Sequence, residues 1–110
     1  MTDKRGNDTL ELFLETLDDA QIVNTLALIE KIEFNGLQIS IKMKWVKKLE
    51  KNLYEIRAKF GNNNQRVIYF QEVNKQYVIT HGFSKKTQKS PIREINKAKR
   101  LRERYFKEMK

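Results

Sequence analysis

In the first third of the chain apolar residues recur at helical spacing. Leu10, Phe13, Leu14 and Leu17 form one stripe, and Asn7 or Asp8 can cap the helix that carries it. Asp18 and Asp19 break that stripe and cap a second helix from about Ala20 to Phe34, where Ile22, Leu26, Ile29 and Ile32 are expected to face a core. Asn35-Gly36 supplies a left-handed stop. The two helices predict an antiparallel hairpin. Leu37 to Lys51 shows no clear period. With Trp45 set among Lys42, Lys44, Lys47, Lys48 and Lys51, it reads as a loop with one turn of helix.

From Leu53 the period changes to two. Tyr54, Ile56, Ala58 and Phe60 point one way, while Glu55, Arg57 and Lys59 point the other. Gly61 to Asn64 is a turn by composition, so Gln65 to Glu72, rich in β-branched and aromatic residues, folds back as a second strand. After a turn at Asn74-Lys75, Tyr77 to Phe83 forms a third. A basic loop, Ser84 to Lys89, leads to Ser90-Pro91, a serine cap with proline at the first helical position. The last helix runs to about Lys107. Ile95, Ala98, Leu101 and Tyr105 pack inward, while Arg93, Lys97, Arg100, Arg104 and Lys107 line another face. The expected fold is α+β: an N-terminal helical hairpin on a small antiparallel β-meander, followed by a basic C-terminal helix.

At 110 residues this is one domain, residues 1–110, with one modest core. The chain has no cysteine, which excludes disulfides and thiolate metal sites, and its one histidine, His81, leaves little for a histidine-rich one. His81 shares its strand alternation with Tyr77, Ile79 and Phe83, so a structural role is expected. No signal peptide or membrane-length apolar run is visible, and the expected location is cytoplasmic. Charge is unevenly placed. Residues 1–60 carry 10 Lys/Arg and 10 Asp/Glu, whereas residues 61–110 carry 13 and 4, which is the whole net +9. Such a split suits a polyanion-binding face, or else a solvated basic helix.

The common enzyme motifs are absent: there is no P-loop, G-x-G-x-x-G or H-E-x-x-H. A metal-dependent nuclease needs clustered acids on the basic half, where only Glu72, Glu94, Glu103 and Glu108 stand, so neither metal nor other cofactor is expected. The notable feature is cations on the polar strand face. Arg57 and Lys59 are two residues apart, Arg66 opens the pairing strand, and Lys85 and Lys86 follow the third. Such cations bind phosphates and can stabilise a pentacoordinate phosphorane. Metal-free RNA cleavage needs an activated 2′-OH, charge stabilisation and a proton for the leaving 5′-oxygen. A lysine crowded by cations can be the base, and arginine suits the stabiliser's role. The same residues equally suit a module that binds polyanions and cuts nothing. Trp45 and Tyr69 can stack on bases, but core packing is the simpler expectation.

The phrases Val46-Lys47-Lys48-Leu49, Leu53-Tyr54-Glu55-Ile56-Arg57 and Arg66-Val67-Ile68-Tyr69-Phe70 resemble the RelE/ParE superfamily of toxins. His81-Gly82-Phe83-Ser84-Lys85-Lys86-Thr87-Gln88-Lys89-Ser90-Pro91, with Arg93-Glu94-Ile95 and Ala98, resembles its phage-derived, HigB-like branch. The resemblance implies the toxin of a type II toxin–antitoxin system, a ribosome-dependent endoribonuclease (mRNA interferase). Such a toxin cuts messenger RNA on the 70S ribosome by 2′-OH attack without metal. It also implies a cognate antitoxin, in this branch usually a helix-turn-helix protein, and so a toxin–antitoxin hetero-oligomer. By position, Arg57 and Arg66 match residues facing the scissile phosphate, Lys85 or Lys86 a further catalytic cation, and Lys59 a neighbouring basic site. Lys47, Lys48, Lys89, Arg93, Lys97, Arg100 and Arg104 are then the expected nucleic-acid contacts, and the final helix can alternatively dock an acidic antitoxin segment.

Two features depart from the resemblance. The tyrosine or histidine usual near the end of the site is replaced by Thr87 and Gln88, which leaves Lys86 as the candidate acid. The strand that usually opens the fold is not legible in Met1 to Asp8, and a sheet edge left open there would be a pairing site for a partner strand. The alternatives are a ParE-like toxin that inhibits DNA gyrase and a non-catalytic nucleic-acid-binding module.

Overall fold

The computed structural model describes residues 9–61, 63–74, 76–85 and 91–108. The elements, in order, are α1 (Thr9–Leu14), α2 (Asp19–Asn35), α3 (Leu37–Lys42), β1 (Val46–Glu50), β2 (Leu53–Phe60), β3 (Asn63–Gln71), β4 (Tyr77–Lys85) and α4 (Ile92–Glu108). The strands form one antiparallel sheet in the order β1-β2-β3-β4. The expected α+β fold is therefore present, with the N-terminal helical hairpin and the C-terminal helix on either side of the sheet. The expected caps Asn7, Asp8 and Ser90, and any strand before α1, lie outside the described residues.

Asp18 caps α2 by accepting a hydrogen bond from the Gln21 N–H at 2.8 Å. Gly36, at φ +86°, ends the helix in a conformation that L side chains rarely adopt. On α2 the buried positions are Thr25, Ile29 and Ile32, whereas Leu26 is 43% exposed. The expected place of Leu26 in the stripe is thus corrected: steps of four and three from Thr25 keep to the sheet, and Leu26 lies a hundred degrees further round.

The segment expected to be a loop with a turn of helix is instead α3 followed by a fourth strand, β1. Lys44 makes the turn between them at φ +65°, and the Trp45 N–H donates to the Ser40 carbonyl at 2.9 Å. A bulge between Lys48 and Glu50 then breaks the regularity of β1.

Apolar residues cover both sheet faces. Val46, Ile56, Val67, Tyr69 and Ile79 meet Phe13 of α1 and Ile29 and Ile32 of α2. On the reverse, Leu53, Ile68, Phe70 and Val78 meet Ala98 and Tyr105 of α4. Tyr54, Tyr69 and Tyr77 pack ring to ring across three strands, with centroids 5.4 and 5.0 Å apart. Tyr69 is fully buried and Trp45 packs against the same core, as expected of both. Phe60, expected to point inward, is 40% exposed, because β2 overhangs the core at that end. Arg102 joins α4 to the β1–β2 turn: it donates to the Lys51 and Asn52 carbonyls and pairs with Glu50 at 3.0 Å.

Candidate nucleic-acid interface

Strand register assembles the cations. Arg57 of β2 lies opposite Arg66 of β3, which lies opposite Phe83 of β4. One row along, Lys59, Asn64 and Lys85 are in line, and on the other side Lys47, Glu55 and Ile68 are. Side chains two residues apart share a face, so Lys47, Glu55, Arg57, Lys59, Arg66 and Lys85 stand on the α4 side of the sheet. The apolar cluster under α4 takes in Leu53, Ile68, Phe70 and Val78, with Phe83 packed against it, and so leaves Lys59 and Lys85 at the far end of that face. Lys85, expected just past the strand, is its last residue.

At the centre Arg66 Nε is 3.4 Å from Glu55 Oε1, with both side chains nearly excluded from solvent. Nε makes no hydrogen bond at that angle, while Nη1 donates to the Gln65 carbonyl at 3.1 Å. Burial lowers the Arg66 pKa, opposed by Glu55 and reinforced by Arg57. Lys85 is pushed down to about 8, first by burial, then by the Arg66 charge; Glu55 opposes the shift, and Arg57 and Lys47 add to it. A buried lysine among cations thereby loses its proton far more readily than a free one, so that a minor neutral fraction exists at ordinary pH, the property a general base needs.

Arg66, expected to face a phosphate, is 2% exposed, so its side chain lies beneath the surface of the cluster. Arg57 is half-buried, and Lys59 and Lys47 are exposed. Lys48 pairs with Tyr54 and belongs to the opposite face from Lys47. Arg93, Lys97 and Arg100 line a hollow of about 440 Å³ on α4 with Glu94 and Asn96, and Arg104 continues the exposed row. Lys86 and Lys89 lie outside the described residues. Among those described, no group of His, Cys, Asp and Glu has the arrangement of a metal site, and no helix is long and apolar enough to cross a membrane.

Glu55 is the residue of this cluster to which the sequence reading assigned no role. Its signal was the alternation Glu55-x-Arg57-x-Lys59, which puts an acid on the same face as the cations. His81 is buried, as expected, but for another reason. A register shift between Ile68 and Tyr69 leaves Thr80 as an extra residue, so His81 joins the α4 face while Ile79 stays on the other. There His81 Nε2 lies 3.0 Å from Glu94 Oε1, and Nδ1 lies 3.1 Å from the Thr80 hydroxyl. Burial lowers the His81 pKa, with Glu94 opposing.

Residues 12–103 match the family described as phage derived protein Gp49-like (DUF891). The chain belongs to this family. No curated protein matches it. The match spans every element from within α1 to most of α4, and so includes the whole cationic sheet face of this Gp49-like chain. Its helices and small sheet are consistent with the general shape of toxin-like superfamilies.

Proposed function

We propose that this Gp49-like protein is the toxin of a type II toxin–antitoxin system, a member of the RelE/ParE superfamily in its HigB-like branch that cleaves messenger RNA on the ribosome. The observation that carries the reading is the gathering of Lys47, Arg57, Arg66 and Lys85 around a single acid, Glu55, with Lys85 pushed down to about 8. In this reading neutral Lys85 takes the proton of a 2′-OH, whose oxygen attacks the adjacent phosphorus. Arg57 meets the phosphorane's added charge, and Arg66 supports it from below. The bond to the 5′-oxygen breaks, leaving a 2′,3′-cyclic phosphate, and the leaving oxygen takes a proton from an acid for which Lys86 is the candidate. Lys59 and the exposed row Arg93, Lys97, Arg100 and Arg104 hold RNA backbone, or an acidic antitoxin segment when the toxin is silenced.

The burial of Arg66 favours a second reading, a basic module that binds nucleic acid without cutting it. Induced expression in bacteria separates the two, comparing the intact chain with Arg57→Ala and Lys85→Met while new 5′ ends are mapped on a reporter messenger. New ends inside translated codons, lost in both variants and when translation is blocked, support cleavage. Growth arrest without new ends points to another target such as gyrase, and neither arrest nor cuts leaves the binding module.

A further inference from the structure

A second cationic hollow lies round the edge of β2, against α2. Asn24, Ala27, Leu28 and Lys31 of α2, one helical face, meet Arg57 and Lys59 of β2 around a volume of about 240 Å³. That is room for roughly eight waters at ~30 Å³ each. Three of the six lining residues are cations and none is an acid. The hollow exists because β1 stops pairing at Val46, opposite Ile56. The Arg57 N–H still reaches the Trp45 carbonyl at 2.8 Å, and beyond it the Asn24 amide donates to the Lys59 carbonyl at 3.2 Å. Lys31 is held in place, with its ammonium 5.1 Å from the centre of the Trp45 ring.

We propose that this hollow is a subsite for the nucleotide next to the scissile phosphate of a single-stranded RNA. The inference rests on the RNA-cleaving reading for its ligand. Arg57 belongs to both places: it lines the hollow, and its charge acts on Arg66 and Lys85 in the cluster. A strand with one phosphate over the cluster therefore reaches the hollow by passing Arg57. Lys31 and Lys59 meet the neighbouring phosphate, while Ala27 and Leu28 give an apolar wall for the ribose. Three of the lining residues are cations, which meet phosphates whatever the sequence, so the subsite reads chiefly backbone and not base identity.

The test uses a dye-labelled 2′-O-methyl pentanucleotide, which cannot be cleaved by 2′-OH attack. Its affinity for the full chain is measured by anisotropy over a range of salt, alongside emission from the single tryptophan. Lys31→Ala should weaken binding several-fold, reduce the salt slope by about 0.7, and abolish the change in Trp45 emission on binding, while Lys31→Arg restores most of the affinity. Lys85→Met reports the cluster independently. If it weakens binding while Lys31→Ala keeps the intact chain's affinity and slope, the subsite is wrong and the RNA reading survives. If the intact chain fails to bind, the subsite is overturned, while the cleavage reading stands or falls on the new 5′ ends.

Discussion

Arg66 and Glu55 form an ion pair inside the protein: 3.4 Å separates Nε from Oε1, and the side chains are 3% and 1% exposed. Removing one partner leaves a buried charge. Glu55→Gln should therefore cost about 3–5 kcal/mol in urea unfolding. The double variant Glu55→Leu/Arg66→Met should lose less than the sum of the two single changes, because no orphan charge remains. Strictly additive losses would show that the pair is not coupled.

In the proposed function Lys85 gives the site its pH dependence. Cleavage should rise with pH and level off above about 8, where the amine is neutral. Lys85→Arg, cationic throughout, should lose the rise and most of the rate. Stability carries the same sign. The folded chain releases this proton near 8 and an unfolded lysine near 10.5, so between them the unfolded state holds more protons and stability increases with pH. Thermal unfolding at pH 7.5 and 10 should differ less in Lys85→Met than in the intact chain.

Gly82 marks the contact of β4 with α1. A Cβ there would run into the Phe13 ring, 2.6 Å from its Cγ. Gly82→Ala should destabilise by about 1–3 kcal/mol through overpacking, and Phe13→Leu in the same chain should recover part of it. An unchanged urea midpoint in Gly82→Ala would mean that α1 does not sit this closely on the sheet.

His81 should make the fold acid-sensitive at the join of β4 and α4. Its pKa is lowered by burial from an ordinary 6.5. Its contribution to stability is therefore complete above 6.5 and is lost as pH falls through the folded-state value. Groups facing it are Glu94 and, more distantly, Lys97 on α4, with Thr80 and Phe83 on its own strand. His81→Gln should flatten the stability profile between pH 7 and 5; an unaltered slope would assign the acid sensitivity elsewhere.

Much of this protein was legible in one dimension. The alternation from Tyr54 to Lys59 and the spacing of Ile95, Ala98, Leu101 and Tyr105 place β2 and α4 correctly, because each element's period records which side it buries. Asp18 and Asn35-Gly36 mark the ends of α2 because capping is local chemistry. The uneven charge, and the likeness of the loop phrase to phage-derived proteins, also needed no coordinates. β1 was not legible. A lysine-rich edge strand has little to bury, and Lys44 turns the chain without the glycine or asparagine that usually announces a positive φ. Only the tertiary structure decided that Arg66 is buried on Glu55, that Thr80 bulges to turn His81 beneath α4, and that Lys31 reaches the same hollow as Arg57. Register between strands and packing between helix and sheet join residues far apart in the chain, and no local period encodes those distances.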